Sequence, residues 1–412
     1  VSWPFSSPVL VRGGRLVDPI AGTVEDGVDL LIVDGVIQEV GRGLTSGLEG
    51  LTEVSAAGRW VFPGLVDCHV HVFAAIRDLQ KSAAMPWTYV TSSAVALLKA
   101  MARRGFTTVR DTGGADWGIA QAITDGLLGT VPHLKFGGPA LSQTGGHGDF
   151  RGRGGGDEPC CALGKVCDGV DEVRRLTRQQ IANGASHIKI MLGGGVASAL
   201  DRLDRNQFTD EEVRVVVEEA TVAGIYVTAH AYTAEAVTRG ALLGLRSVEH
   251  GNLIDAATAK LMGERGMFLV PTLVAYEDLQ DDVDAGTAAP YIAPKLAQVR
   301  EGGLRSLELA AEAGVPIAYG TDLLGVGHPR QLEEFAIRSR VQTPIEMLRS
   351  ATAVGRALLD GDEREALLVP GNRADLVIAD LDPTTESLEH LGTRDRLVMI
   401  GGRLLDDPGV PR

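Results

Sequence analysis

Val61-Phe-Pro-Gly-Leu-Val-Asp-Cys-His-Val-His-Val72 is the stretch from which the rest of the chain can be read. It opens as an apolar run long enough for a buried strand and closes on two histidines spaced i, i+2. On a strand, successive side chains alternate between faces, so His69 and His71 point the same way. Two imidazoles on one side of a strand end are a ready pair of nitrogen ligands for a zinc-like ion. The same pair can simply close a strand with polar side chains, so the weight falls on whether other strands supply further ligands.

Upstream, residues 8–60 read as short β-segments, Val9–Val11, Asp29–Val33 and Val36–Val40, punctuated by Gly13-Gly14, Asp34-Gly35 and Gly41. Asp-Gly between apolar runs is a hairpin signal. Downstream, strands are expected at Thr107–Asp111, His133–Gly137, His187–Leu192, Ile225–His230, Arg246–His250, Gly266–Val270 and Pro316–Gly320. Helices are expected around Tyr89–Arg104, around Val170–Asn183, and from Thr209, where Glu212 completes a capping box. With the opening strand this makes eight strand–helix units, the number that closes a parallel sheet into a (β/α)8 TIM-like barrel. In the tail, Gly371–Asp380 and Arg396–Ile400 read as strands that rejoin the N-terminal ones in a small β-sandwich-like domain. The expected division is 1–60 and 359–412 for the two parts of that domain and 61–358 for the barrel.

The composition suits that size. A chain of 412 residues, 44% apolar and 23% charged, carries core material for a large barrel and an accessory domain. Its net charge of −15, without a basic cluster, argues against nucleic acid as a partner. No apolar run approaches the ~20 residues that cross a bilayer, so no membrane partner is expected. Val1-Ser-Trp-Pro-Phe5 lacks the basic start and long apolar stretch of a signal peptide. Cys68, Cys160, Cys161 and Cys167 are too few and too clustered for a disulfide framework and point to a reducing, cytoplasmic compartment. The trio at 160–167 has no CxxC pair and is expected to be structural or incidental.

In a barrel of this kind the reactive groups stand at the C-terminal ends of the strands. There the chain offers His69 and His71 on strand one, Lys189 on four, His230 on five, His250 on six and Asp322 after eight. His133, His147 and His328 are expected in loops near the same face. A lone histidine at a strand end is an ordinary hydrogen-bonding residue; four with an aspartate and a lysine make a site. Lys189 needs its own reason, because an ammonium repels metals. It lies between Ile188 and Ile190, where desolvation lowers a lysine pKa and favours the neutral amine. A neutral amine adds carbon dioxide to give a carbamate, an anionic two-oxygen ligand able to bridge two metals.

These residues resemble the amidohydrolase superfamily over essentially the whole chain, through Pro63–His71, the strand lysine Lys189, His230, the Glu-His-Gly triplet at His250, the Gly-Thr-Asp ending at Asp322 and the tail Pro370–Asp380. The resemblance implies a binuclear centre of two divalent metal ions, zinc by expectation. His69, His71 and Asp322 would bind one, His230 and His250 the other, and carboxylated Lys189 would bridge. Finer motifs look like the branch of Xaa-Pro dipeptidases and related zinc carboxypeptidases: Thr144–Phe150, Gly184–Met191, Gly193–Ser198, Ala229–Thr233, Glu249–Asp255 and Gly320–Gly325. Two places depart from that branch. Ser198-Ala-Leu-Asp-Arg202 lacks a proline, and His328-Pro-Arg-Gln331 lacks a second histidine, both in loops expected to face substrate.

The chemistry such a ligand set implies is hydrolysis, since paired metals lower the pKa of a bound water from about 15.7 toward ~7. Asp322 would take the proton and deliver it to the leaving amine. Tyr232 would stabilise the oxyanion, and His147 would bind a substrate carbonyl or carboxylate. Arg151, Arg153 and Arg330 are candidates to pair with a substrate carboxylate. Gly193-Gly194-Gly195 lacks a following Lys-Ser/Thr and reads as close backbone approach near substrate rather than a phosphate cradle. The expected substrate is a small molecule carrying a carboxylate, a dipeptide or N-acyl amino acid cut at its C–N bond. Lactone, carbamate, ester or xenobiotic hydrolysis at the same centre is the alternative. A deaminase or imidazolonepropionase-like site, typically with one metal, would not need Lys189, and a non-catalytic binding protein would be expected to have lost ligands. A homo-oligomer is expected.

Overall fold

Residues 7–151, 163–199, 201–361 and 367–405 are described by the computed structural model. Cys160, Cys161 and Arg153 lie outside them. The N-terminal segment supplies β1 (Val9–Asp18), β2 (Thr23–Val33), β3 (Val36–Gly41), β4 (Thr52–Ser55) and β5 (Trp60–Pro63). Asp34 and Gly35 join β2 to β3 at φ 51° and 78°, the left-handed pair that a two-residue hairpin needs.

The barrel follows with β6 (Leu65–Val70), β7 (Phe106–Asp111), β8 (His133–Phe136), β9 (Ala140–Ser142), β10 (Gly164–Val166), β11 (His187–Met191), β12 (Tyr226–Thr233), β13 (Ser247–Leu253) and β14 (Phe268–Val270). Neighbours pair in parallel throughout. Helices such as Trp87–Arg103 and Val170–Ala182 connect them, and Thr209 and Glu212 form the expected capping box on the helix Asp210–Val222.

Three staves differ from expectation. The run that opens at Val61 is two strands: β5 belongs to the terminal sheet and β6 to the barrel, with Gly64 between them. A Cβ at Gly64 would lie 2.2 Å from Thr107 Oγ1, so only glycine lets the chain pass there. The third stave is broken at Gly137-Gly138-Pro139, where proline has no N–H for a ladder; β8 pairs with β7, and β9 with β11. The eighth is a bridge rather than a strand. Ile317 pairs with Leu269, and on the other side Cys68 N–H donates to Tyr319 O and Asp322 N–H to His69 O, each at 2.8 Å, which closes the barrel.

β15 (Leu376–Ala379), β16 (Arg396–Ile400) and β17 (Arg403–Leu404) complete a sheet of order β17-β16-β15-β5-β1-β2-β3, with β4 beside β1. Val36 bridges to Arg373, so the sheet curls back on itself. Val377, Ala379, Val398 and Ile400 pack in one apolar cluster with Leu65, Met101 and Phe106 of the barrel. Among the described residues no helix is long and apolar enough to cross a membrane.

Candidate metal centre

The strand ends converge. His69 lies in β6 and His71 one residue past it, with ring centroids 5.2 Å apart. His250 stands 5.2 Å from His69 and 4.6 Å from His230. Asp322 Oδ1 is 3.1 Å from His71 Nε2 and 3.3 Å from His69 Nε2, and its Oδ2 is 3.9 Å from His250 Nε2. His69, His250 and Asp322 each place a ligand atom within 4.8 Å of the others. Lys189 is buried on β11 beside Thr228 of β12.

The far nitrogen of each ring is engaged by the protein. His69 Nδ1–H donates to Glu249 Oε2 at 2.7 Å and His71 Nδ1–H to Gly113 O at 2.8 Å. His250 Nδ1 pairs with Thr272 Oγ1 at 2.7 Å, and His230 Nε2–H donates to Gly194 O at 3.1 Å. When the His69 or His71 ring is neutral, its Nε2 lone pair is turned on the Asp322 carboxylate. Acceptors face acceptors, an arrangement that a cation satisfies.

The backbone is shaped to the same end. His250, Thr272 and Asp322 sit at φ 79°, 51° and 52°. Left-handed non-glycine residues cost on the order of 1–3 kcal/mol each and cluster at functional sites. On a regular strand Glu249 and His250 would face opposite ways. The turn at His250 lets both meet His69, the carboxylate through Nδ1 and the imidazole across its ring.

Burial raises a carboxyl, but protonated His69 and His71 rings, with their charge and N–H turned on Asp322, override it and hold it well below the carboxylate range, while Asp322 in turn raises His71 against burial. Glu249 is likewise held low against burial by Arg110 and His69. Burial depresses His230 and His250 far below the histidine range, so both are neutral imidazoles fit for a metal. Burial also pulls Lys189 down to about 8, against the pull of Glu249 and Asp322, which leaves free amine near neutrality.

A cavity of about 560 Å³ opens onto His147, His230, Tyr232 and Asp322, with Phe150, Val196, Leu279 and Ile292 among its apolar walls. The His147 ring stacks on His230 at 4.1 Å, and burial lowers its pKa. Tyr232 packs edge-on to His230 at 4.8 Å, and burial raises its phenol, so the hydroxyl keeps its proton. A hollow of about 850 Å³ lined by Asp210, Arg239 and Leu261 is lined by none of these residues.

Other candidates fall elsewhere. Arg330 is held by Asp278, Asp281 and Glu333 at 3.3, 2.8 and 2.8 Å, and Arg151 by Asp149 at 2.7 Å. His133 opens β8 at the far end of the barrel, 3.3 Å from Asp375 Oδ1, and His328 Nε2–H donates to Ala74 O at 3.3 Å. Glu249, Thr272, Asp67 and Arg110 were given no role by sequence reasoning. Asp67 accepts the His69 amide, the Thr321 hydroxyl and the Gln331 amide. Arg110 is fully buried in β7 but lies between Val109 and Asp111, so it lacked the apolar flanks that single out Lys189.

Residues 60–405 match the profile of the amidohydrolase family. An ochratoxinase of Aspergillus niger is 32% identical over 413 aligned positions, covering 92% of this chain and 83% of that protein. A prolidase crystallised with N-methylphosphonate-L-proline superposes with a TM-score of 0.92 at 41% identity, over 97% of this chain and 99% of the other. A Xaa-Pro dipeptidase with methionine in its active site gives 0.85 at 29% identity, over 97% and 100%.

Proposed function

The chain belongs to the amidohydrolase family, and on that footing we propose that it cleaves the C–N bond of a dipeptide or N-acyl amino acid at a binuclear metal centre. The observation that carries this reading is the set of imidazole nitrogens turned on Asp322 with their far nitrogens tied down. His69, His71 and Asp322 would hold one divalent ion and His230 and His250 the other, zinc by expectation. Lys189, whose amine takes up carbon dioxide with loss of a proton, would bridge as a carbamate. When bound, such ions supply Lewis acidity and lower the pKa of water to about 7.

The protein's own groups do the rest. Asp322, held ionised, accepts the proton of the attacking water at a carboxylate oxygen and passes it to the departing nitrogen. Tyr232 keeps its phenolic proton and donates to the oxyanion. His147 faces the substrate from the cavity wall. The names of the prolidase and dipeptidase relatives support an amino acid as the leaving part, and hence a small substrate bearing a carboxylate. A cytoplasmic homo-oligomer belongs to the same reading.

Metal analysis should find close to two divalent ions per chain, and Lys189→Ala should lose metal and activity together; full activity in that variant removes the carbamate. A screen of dipeptides and N-acyl amino acids against lactones, esters and carbamates tests the bond. Turnover confined to esters or lactones overturns the assignment.

A further inference from the structure

The helix Leu273–Asp284 forms one wall of the cavity through Ala275, Tyr276, Asp278, Leu279 and Asp282. The first amides of a helix have no partner within it, and an N-cap threonine in extended backbone ordinarily offers its hydroxyl to one of them. Thr272 occupies the N-cap here but stands at φ 51°, an exception for a β-branched residue, and makes no side-chain cap. Its Oγ1 lies instead 2.7 Å from His250 Nδ1. The amide it leaves, Val274 N–H, donates at 2.7 Å to Oε2 of Glu334, on the short helix Glu333–Arg338 that follows Asp322 in the chain.

This is a costly way to start a helix. Thr272 in extended backbone could serve Val274 itself, with no strain and no second residue. In its place the chain buries a carboxyl completely, and Oε1 of Glu334 has no hydrogen-bond partner among the described residues. What the arrangement gains is the Thr272 hydroxyl, released to the ring of His250. The next turn of the helix is held separately, with Arg77 and Arg330 reaching Asp278 at 2.5 and 3.3 Å, so Glu334 governs the first turn alone.

We propose that Glu334 is a positioning residue that caps the cavity helix in place of Thr272 and so keeps the Thr272 hydroxyl on His250. This rests on His250 holding a metal. A histidine ligand is oriented by the partner of its far nitrogen, and losing that partner weakens metal binding. Without an acceptor at residue 334, Thr272 would turn back to the Val274 amide and His250 would lose its support. Glu334 does not line the cavity and acts only through the helix start.

Glu334→Leu removes the acceptor and keeps the space filled, whereas Glu334→Gln keeps an oxygen for the Val274 amide. Backbone hydrogen exchange over residues 273–279 should quicken about tenfold in Glu334→Leu and stay near wild type in Glu334→Gln, with the helix Asp210–Val222 unchanged in both. In chelator competition, Glu334→Leu should bind zinc about tenfold more weakly, and Glu334→Gln within about twofold of wild type. Thr272→Val removes the hydroxyl directly and should weaken zinc by the same order; added to it, Glu334→Leu should cost less than about a further twofold. A merely structural loss would be equal in both backgrounds, and that result overturns the proposal. So does unchanged exchange in Glu334→Leu, or a Gln variant as impaired as the Leu one. Should Glu334→Leu not fold, Thr272→Val decides: zinc affinity within about twofold of wild type overturns the proposal. If the wild-type protein takes up no zinc, the metal reading itself fails, while exchange still decides whether Glu334 caps the helix.

Discussion

Between the guanidinium of Arg110 and the ring of His69, Glu249 divides its oxygens: Oε1 takes Arg110 Nη2 at 2.8 Å and Oε2 takes His69 Nδ1–H at 2.7 Å. Thr228 and Ser247 hydroxyls complete the Oε1 side. Glu249→Gln keeps the shape but brings an amide donor against Arg110 or His69. The expected result is zinc affinity weaker by about 10–100-fold, measured by chelator competition. Folding should lose on the order of 3–5 kcal/mol as Arg110 is left without a counter-charge. Affinity within twofold of wild type would dismiss the role. Glu334 makes a second prediction. Its Oε2 accepts the Val274 amide at 2.7 Å, and burial pushes the carboxyl up to about 8 from 4.5, against Arg338. The folded state thus binds this proton more tightly than the unfolded one. The stability it contributes is full below pH ~4.5 and is lost as pH rises toward ~8. Glu334→Gln should match wild type near pH ~4.5 and exceed it by about 2–4 kcal/mol above pH ~8. A difference in unfolding free energy that does not grow with pH contradicts this.

The loop after β11 is shaped by what it must touch. A Cβ on Gly195 would stand 2.0 Å from His147 Cε1, and one on Gly194 would stand 1.9 Å from Arg202 O. Gly195→Ala should push the His147 ring off its stack on His230. Displacement of about 1 Å near a reacting centre costs about 10²-fold, so kcat/KM should fall by that order while zinc content stays at the wild-type level. Unchanged kcat/KM would mean His147 does not touch the reaction. Elements like this show what is readable in the chain. β6, β11 and β12 were legible because apolar runs of strand length end on a histidine or hold a lysine, and local periodicity records that, whereas β13 was legible through its Glu-His-Gly triplet. The breaks at Gly64 and at Gly137-Gly138-Pro139 were not, since each depends on a neighbour from another strand. Nor was the left-handed turn at His250 or Asp322, for neither residue type demands it. The Arg110–Glu249 and Asp201–Lys295 pairs join residues 139 and 94 positions apart, and no local pattern announces such a meeting.

At the scale of the molecule, β5 ties the terminal sheet to the metal-bearing strand. Trp60–Pro63 runs antiparallel to Leu376–Ala379, and one residue later the same backbone enters β6 with His69. We propose 1–60 with 359–412 and 61–358 as its two units, with the opening strand shared between them. They do not have separate cores, because Val377, Val398 and Ile400 lie in the cluster that holds Leu65 and Phe106. Leu376, Val377, Ile378, Val398, Met399 and Ile400 are all buried. Each buried side chain of this kind contributes about 1.5–3 kcal/mol, so together they contribute about 9–18 kcal/mol. A whole domain has only about 5–15 kcal/mol of net stability. A chain ended after residue 358 should therefore fail to fold and bind no zinc. In the full chain, calorimetry should show one transition, with zinc released across the same temperatures. Two resolved transitions, with zinc retained through the first, would show that the barrel stands without the terminal sheet and that β5 does not anchor the centre.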